Sequence, residues 1–270
     1  KPVTLVVPNP PGGVVDTSAR LLGDPLAKLL GQTVVIDNRP GGNAMIGADI
    51  VAKAAADGYT LFGGTISTHA INASLYKKLP YDPVADVTAV SLGCTFEFGL
   101  AVGPAVPASV RNVEEFLAWC KANPAKANYG SPGAGSPPHM LAALLSKDSG
   151  VDLAHVPYRG SALAMNDTIA GQITYMFDIL NVAIPQSRSG RVRALAVTSG
   201  KRSPYAPEVP TMEEAGVPGY SAAGSDLWFG IMAPAGVPRP IADNLQSTLV
   251  TVLRSPEMRQ TIRHQFFEPW

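Results

Sequence analysis

Short apolar runs of strand length alternate with longer amphipathic stretches from the start of the chain. A continuous apolar run predicts a buried strand, whereas apolar residues recurring every three or four positions predict a helix that packs one face on a core. Glycines and an Asp-Gly pair end the helical stretches. The predicted elements of this first part are strands at 4–7, 33–37 and 60–63 and helices at 14–30 and 45–56.

A second series of the same kind follows Gly103 and Pro104. Its predicted elements are helices at 113–121, 138–149, 161–170 and 182–189 and strands at 127–130, 153–156, 173–177 and 193–198. A strand at 227–233 and helices at 240–254 and 256–265 close the chain. Strands that alternate with helices are typical of parallel sheets covered by helices on both faces. The predicted fold class is therefore α/β, with two lobes.

Composition narrows the function classes. The 270 residues are 46% hydrophobic, enough for one large domain or two lobes with their own cores. The 21 basic and 21 acidic side chains cancel, which argues against nucleic acid or an acidic lipid surface as a partner. No run reaches the roughly 18 apolar residues of a membrane span. The chain opens directly on a strand pattern, so we expect any signal peptide to be absent from this sequence.

Cysteine and histidine usage argues against a metal or disulfide framework. Cys94 and Cys120 are the only cysteines and lack the spacing of metal ligands. We expect two buried free thiols rather than a bridge, because a free cysteine usually behaves as a small buried apolar residue. The four histidines are scattered, so no metal or other cofactor is expected.

The segment between the first strand and the first helix, residues 6–16, is the strongest local signal. Gly12 and Gly13 have no Cβ and let a ligand approach the backbone closely. The free N–H groups and the positive dipole end of the following helix favour a carboxylate or a phosphate. A tight turn without a ligand explains this segment, taken alone, equally well.

Residues 129–139 form a second strand–loop–helix segment of similar chemistry. Ser136 is typical of an N-cap and Pro137 of the first helical position, while Ser131 and Ser136 add hydroxyl donors. Ligands of open α/β sheets lie beyond the carboxyl ends of the strands. Two such loops, one in each lobe, favour a shared anion site over two plain turns.

Neither loop matches a nucleotide-binding or catalytic pattern. No lysine follows the glycines as in a P-loop, and proline stands where the dinucleotide fingerprint needs its third glycine. The Gly-x-Ser-x-Gly pattern of hydrolases is absent. We expect a binding protein and not an enzyme. The alternatives that stay open are a hydrolase using Ser131 and His139, although we favour His139 as a packed structural residue, and a sensory ligand-binding subunit.

An ordered set of short segments spans nearly the whole chain: 7–8, 12–13, 16, 38–41, 57–61, 79–83, 129–139, 155–160, 195–198, 207–216 and 233–236. Each segment alone is weak, but the ordered set is specific. With it the chain resembles the substrate-binding proteins of tripartite tricarboxylate transporters, the Bug family.

The resemblance implies a Venus-flytrap, type II-like periplasmic-binding-protein fold with two hinge crossings. Lobe 1 would comprise residues 1–101 and 226–270, and lobe 2 residues 102–225. The resemblance also implies a monomeric periplasmic receptor that captures a small organic carboxylate between its lobes and delivers it to the permease subunits of a membrane transporter. It does not specify a dicarboxylate, a hydroxy acid, an aromatic acid or an amino acid.

Carried over by position, the resemblance places ligand contacts in both loops, after the third strand and near the cleft floor. The candidate residues are Asn9, Pro11, Gly12, Gly13, Asp16, Thr65, Ser67, Ser131, Gly135, Ser136 and Asp178. Asn9 departs from the family, which usually has an aromatic residue there, and a smaller polar side chain widens the pocket or adds a hydrogen bond. Because a carboxylate repels an anion, we expect Asp16 and Asp178 to order water, cap backbone N–H groups or receive a protonated group of the ligand.

Overall fold

Strands and helices follow the hydrophobic pattern in a computed structural model that describes residues 1–224 and 227–269. The strands are β1 Val3–Val7, β2 Val34–Asn38, β3 Thr60–Thr65, β4 Val87–Thr95, β5 Phe98–Val102, β6 Asn128–Ser131, β7 Ala154–Pro157, β8 Tyr175–Ile179, β9 Arg193–Val197, β10 Trp228–Pro234 and β11 Glu268–Pro269. The helices are α1 Val14–Leu30, α2 Met45–Ala52, α3 Asn72–Leu75, α4 Val113–Ala122, α5 Pro137–Ser149, α6 Ser161–Ile169, α7 Leu180–Arg188, α8 Tyr220–Gly224, α9 Arg239–Arg254 and α10 Pro256–His264. A π-helical turn, Ser67–Ile71, precedes α3 and a 3-10 turn, Pro124–Lys126, precedes β6.

Helix α1 illustrates how local sequence fixes these elements. Val15, Ala19, Leu22 and Leu26 recur at helical spacing and are all buried. Burial of each leucine contributes roughly 2 kcal/mol. Gly31 ends the helix with φ 62°, a left-handed conformation that glycine adopts without a Cβ clash. Since four of the five residues of β1 are buried as well, the loop that joins β1 to α1 is anchored at both ends.

The chain divides into two units, which we call unit 1 (residues 1–95 and 227–269) and unit 2 (residues 96–224). The expected boundary after residue 101 needs correction. Strand β5 pairs with β8 and β9, so residues 96–101 belong with unit 2, where their backbone hydrogen bonds are made.

The sheet of unit 1 has the strand order β11-β4-β10-β3-β1-β2. Strand β1 runs parallel to both β2 and β3, whereas β10 runs antiparallel to β3 and β4. One side of this sheet is covered by a cluster that includes Val6, Val51, Phe62, Tyr81 and Met232. Because β1 and β3 are parallel, both strands end at the same edge of the sheet, and the first loop begins there.

The sheet of unit 2 has the strand order β7-β6-β8-β5-β9. Strand β6 runs parallel to β7 and β8, whereas β5 runs antiparallel to β8 and β9. The parallel strands expected from the alternation are present in both units, but each sheet also contains antiparallel pairs. The antiparallel pairs include β4 in unit 1 and β5 in unit 2, two strands that the sequence did not predict and that only residues 96–97 separate.

The two cysteines are buried free thiols on different elements. Cys94 lies in β4 of unit 1 and Cys120 in α4 of unit 2. Burial raises the pKa of the Cys94 thiol to about 11, against a small opposing effect of the Ser18 hydroxyl, and raises that of Cys120 to about 12.

Candidate functional site

The first candidate loop follows β1 and leads into α1. Gly12 has φ 85°, which turns the chain toward the helix, and Gly13 is the N-cap residue in an extended conformation. Because glycine has no side chain, the first turn of α1 receives no side-chain cap. The free N–H groups of this turn and the positive end of the dipole of a 17-residue helix therefore point toward the first loop.

Asp16 braces this loop from the first turn of α1. Its side chain is buried, with 3% of the residue exposed, and its Oδ2 accepts a hydrogen bond from the Gly12 N–H at 2.8 Å. The Arg20 Nε donates to both carboxylate oxygens at 3.0 Å. Asn38, at the end of β2, donates one N–H to Asp16 Oδ1 at 2.9 Å and the other to Asn9 O at 3.0 Å. Of the roles expected for Asp16, the structure shows the capping one.

These contacts also set the ionisation of Asp16. Burial alone raises the pKa of this carboxyl, but hydrogen bonds from Arg20, Gly12 and Asn38 and the charge of Arg20 outweigh burial and hold the pKa below its ordinary value. Asp16 is therefore an anion whose charge is matched by Arg20, and its repulsion of a second anion is correspondingly reduced.

Thr65 and Ser67 lie at the same edge of the sheet as the first loop. Strand β3 pairs in parallel with β1, with Val6 opposite Phe62, and ends at Thr65. Ser67 begins the π-helical turn, which is fixed by Thr68: its hydroxyl accepts from the Thr65 N–H at 3.1 Å and donates to Thr65 O at 3.0 Å. Single π-helical turns are frequent at functional sites, and this one was not predicted from the sequence.

The second candidate loop follows Ser131, the last residue of β6. Gly133 and Gly135 have φ values of 141° and 80°, which residues with a Cβ rarely adopt. Ser131 has no exposed surface, and its hydroxyl accepts the Gly133 N–H at 3.1 Å. The glycine spacing therefore reflects a conformational requirement of the loop, as well as room for a ligand.

The start of α5 differs from the expectation in one respect. Ser136 is the N-cap residue by position, but its hydroxyl donates to Gly133 O at 2.6 Å and makes no capping hydrogen bond. Pro137 and Pro138 have no N–H, so the first N–H of the helix is that of His139. The second loop thus offers the dipole of α5 but fewer backbone donors than α1 does.

Two histidines bind the second loop. His155 Nε2 lies 2.6 Å from Ser131 Oγ, and His139 Nδ1 accepts the Gly135 N–H at 3.0 Å. The imidazole partner of Ser131 is therefore His155 rather than His139, and the pair named for the hydrolase alternative is wrong. His139 is a packed structural residue, as favoured from the sequence, and it stacks on His155.

Asp178 lies in β8 at the carboxyl edge of the sheet of unit 2. The parallel register places Gly130 opposite Met176, so Asp178 stands at the level of Pro132 in the second loop. Only 1% of Asp178 is exposed; Oδ1 accepts the Ile179 N–H at 2.9 Å, and Oδ2 has no partner among the described residues. Burial raises the pKa of Asp178 to about 7, against opposing effects of the Ile179 N–H and the Ser161 hydroxyl.

The candidate residues thus fall into two groups, one in each unit. Unit 1 holds those of the first loop and the end of β3, namely Asn9, Pro11, Gly12, Gly13, Asp16, Thr65 and Ser67. Unit 2 holds Ser131, Gly135, Ser136 and Asp178. Arg20, Asn38 and His155 were not predicted as parts of the site. All three lie in or near the segments that carry the family resemblance, but the positions of these residues in the sequence do not show what their side chains contact.

Metal and membrane chemistry find no support in the part of the chain that the structure describes. No group of three or more histidine, cysteine, aspartate or glutamate side chains within residues 1–224 and 227–269 is placed to hold a metal ion. The helices of those same residues are all too short or too polar to cross a membrane.

Comparison with known proteins identifies a common family. A model of the "Tripartite tricarboxylate transporter family receptor" matches residues 18–270. The periplasmic binding protein BugD superposes with a TM-score of 0.90 at 34% identity, over 99% of this chain and 88% of BugD.

Two solved structures of Rhodopseudomonas palustris proteins carry bound ligands. Rpa4515 with adipate has a TM-score of 0.92 and 37% identity, over 99% of this chain and 88% of that one. MatC with bound malate has a TM-score of 0.89 and 34% identity, over 99% of this chain and 90% of that one. The fold is that of periplasmic binding proteins.

Proposed function

Because the chain belongs to the tripartite tricarboxylate transporter receptor family, we propose that it is a periplasmic receptor that captures a small dicarboxylate and delivers it to the permease subunits of its transporter. Membership of this family makes the chain a solute-binding receptor and not an enzyme. Malate and adipate, found in MatC and Rpa4515, are the first candidate ligands. The receptor acts as a monomer.

One observation carries this proposal: each unit has a loop at the carboxyl edge of its sheet that leads into a helix start. The first turn of α1 is not capped by a side chain, and the N-terminal end of α5 bears two prolines and a buried serine. Both are places where an anion is stabilised by backbone N–H groups and a helix dipole. Since Arg20 is already bound to Asp16, the charge of the ligand is balanced by dipoles rather than by an additional cation.

The energies are sufficient for a useful affinity. A hydrogen bond to a charged group contributes about 1.5 to 3 kcal/mol net, and each helix terminus adds about 0.3 to 1 kcal/mol. Micromolar binding requires about 8 kcal/mol. Three or four such hydrogen bonds and the apolar contacts of the ligand supply this after the entropic cost of association.

In this proposal one carboxylate of the ligand binds at each loop. Backbone N–H groups around Gly12 and Gly13 bind the first carboxylate, with the hydroxyls of Thr65 and Ser67 beside it and Asn9 and Pro11 lining the entrance. At the second loop the dipole of α5 stabilises the other carboxylate. Ser131, Gly135 and Ser136, whose hydroxyl and N–H groups already bond within the unit, hold the loop in shape beside it. Asp16 holds the first loop in shape, and Asp178 in its neutral form donates to the ligand through Oδ2.

Calorimetric titration and thermal shift with malate and adipate test the proposal, with dimethyl adipate as the matched control that lacks both charges. Binding to the folded state alone stabilises it by about 2.7 kcal/mol at a ligand concentration of 100 times Kd. We expect a rise in Tm with a free dicarboxylate and none with the diester. Equal shifts with the diester, no response to any dicarboxylate of a panel, or recovery of a chemically altered ligand would each overturn the proposal.

A further inference from the structure

Two stacked imidazoles contact the second loop at two different points. The rings of His139 and His155 lie 4.2 Å apart between centroids and are inclined by 28°. His155 reaches the start of the loop through Ser131 Oγ at 2.6 Å, and His139 reaches its far end through the Gly135 N–H at 3.0 Å. Tyr129 stacks on His155 with its centroid 4.9 Å away, so the pair is fixed by an aromatic column.

The hydrogen bond from Gly135 assigns the protonation state of His139. A backbone N–H can only donate, so the Nδ1 that accepts it carries no proton and the single ring proton is on Nε2. Protonation of His139 would put an N–H on Nδ1, opposite the N–H of Gly135. Two donors facing each other cannot form a hydrogen bond, and the loop loses this contact with His139.

His155 holds the other end of the second loop, through Ser131. The Ser131 hydroxyl accepts the Gly133 N–H and is placed to donate to Gly133 O, each at 3.1 Å. When Ser131 makes both of these bonds, Nε2 of His155 donates to Oγ, and Ser131 is satisfied while fully buried. His155 therefore holds the loop in either charge state, whereas His139 holds it only when neutral.

We propose that His139 and His155 are positioning residues for the second loop, and that protonation of His139 in acid breaks its hydrogen bond with Gly135 and weakens capture of the anionic ligand. This inference rests on the proposed function, because it concerns the same loop. It adds that the affinity of the receptor depends on pH through a residue that does not itself contact the ligand.

The surroundings of the pair keep both rings neutral near pH 7. Burial lowers the pKa of His139, and burial together with the charge on His139 lowers the pKa of His155. Among the described residues, the titratable groups in ring contact with the pair are the Tyr129 phenol of β6 and, behind it, the Tyr175 phenol of β8, whose pKa values are both raised by burial. The pair is therefore in contact with neutral phenols, and the pKa of each ring lies below the ordinary histidine value.

Two substitutions of His139 distinguish the effect of losing the hydrogen bond to Gly135 from the effect of losing the aromatic ring. Asparagine places an amide oxygen where Nδ1 stands and cannot titrate, so His139→Asn retains an acceptor for the Gly135 N–H. Phenylalanine keeps the stack on His155 but has no acceptor. His264→Asn is the control for pH effects unrelated to the loop, since His264 is an exposed histidine of α10 in the other unit.

Calorimetric titration of adipate and malate between about pH 5 and pH 8 measures the consequence. Because Asp178 also titrates in this range, the measured quantity is the affinity of each protein relative to His139→Asn at the same pH. For the native chain and His264→Asn we expect this ratio to fall in acid by about 3- to 10-fold, the loss of one hydrogen bond, and His139→Phe should bind about 3- to 10-fold more weakly than His139→Asn throughout. A ratio that rises in acid, as a nearby positive charge would produce, or that does not change with pH, overturns the inference.

Nuclear magnetic resonance of histidine-labelled native protein decides the matter independently of any ligand. The nitrogen shifts of His139 should show an unprotonated Nδ1 at neutral pH, and the chemical shift of the Gly135 amide should change as His139 titrates. A proton on Nδ1 at neutral pH would refute the inference even if both substituted proteins failed to fold. Absence of dicarboxylate binding at every pH, with the expected tautomer, would instead count against the proposed function alone.

Discussion

Two buried aspartates at the carboxyl edges of the two sheets have opposite ionisation behaviour. Asp16 accepts hydrogen bonds from Gly12, Arg20 and Asn38 on both oxygens, which stabilises its charged form. Asp178 is as deeply buried but has one partner for Oδ1 and none among the described residues for Oδ2. Burial outweighs the opposing effects of the Ile179 N–H and the Ser161 hydroxyl and favours its neutral form. The surroundings, rather than the residue type, thus decide which aspartate is an anion.

The raised pKa of Asp178 predicts a stability penalty in neutral solution. The pKa of about 7 in the folded protein lies above the ordinary value of 3.8, so the folded state retains a proton that the unfolded chain has released. Its contribution is full in acid and is lost as pH rises toward 7. We expect Asp178→Asn, which cannot ionise, to raise the free energy of unfolding of the ligand-free protein by on the order of 2 kcal/mol at about pH 8 and little at about pH 4. Urea denaturation at both pH values measures this, and an equal effect at both would contradict it.

Asp16 should behave in the opposite way. Asp16→Asn turns an N–H donor toward the donors of Gly12 and Arg20, so we expect a loss of about 1 to 3 kcal/mol in the free energy of unfolding near pH 7. Because the folded pKa is lowered, the native contribution is present above the ordinary pKa and disappears as pH falls through the folded value. The difference between native and substituted protein should therefore shrink in acid. Asp24→Asn, an exposed position on the same helix, is the matched control and should change stability by less than about 0.5 kcal/mol.

At the scale of elements, local signals were predictable and non-local ones were not. Helix α1 was predicted with its observed bounds, Val14–Leu30, because its periodic apolar face and the glycines directly before and after it are all local signals. Strands β4 and β5 were missed because they follow one another without a helix, and the direction of β5 depends on partners about 73 to 98 residues away. The helix expected at 45–56 ends at Ala52.

In the candidate site, too, local features were predictable from the sequence and non-local contacts were not. Both loops were predictable, since proline and glycine clusters between a strand and a helix mark them locally. The contacts that hold them were not: Asn38 reaches Asp16 across 22 positions and His155 reaches Ser131 across 24. Ser136 was placed correctly as an N-cap by position, but its hydroxyl bonds Gly133 because that carbonyl lies within reach in the folded loop.

The two glycines of the first loop give a matched pair of variants. Gly12 has φ 85° and no atom within 4 Å of the position that an added methyl group would take, whereas Gly13 has φ −79° and its Cβ would meet only Pro10 O at 3.6 Å, an ordinary contact. Gly12→Ala should therefore lower the free energy of unfolding by about 1 kcal/mol through backbone strain. Gly13→Ala should leave stability unchanged within about 0.5 kcal/mol but weaken dicarboxylate binding, since the added methyl stands beside the helix start. Denaturation and titration of both variants check this; native affinity in Gly13→Ala would argue against a ligand at the first loop.

At the scale of the whole molecule, the candidate residues are divided between two units that each have their own sheet and core. The proposal that one ligand binds both groups makes the ligand a link between the units. Each unit also contains one buried cysteine, Cys94 in unit 1 and Cys120 in unit 2. The pKa values of about 11 and 12 keep both thiols protonated and unreactive in the folded state.

The labelling rates of these two thiols measure whether the ligand binds both units. Modification of Cys94 or Cys120 by a thiol reagent near pH 8 requires opening of the surrounding structure, so each labelling rate reports how often one unit opens. A ligand held by both units must be released before either opens, and at 100 times Kd it should slow both labelling rates about 100-fold. Cys94→Ser and Cys120→Ser, each retaining one thiol, assign the two rates, and dimethyl adipate is the control ligand. Slowing of Cys94 alone or of Cys120 alone would show that a single unit holds the dicarboxylate, because only the unit whose opening must release the ligand is protected by it.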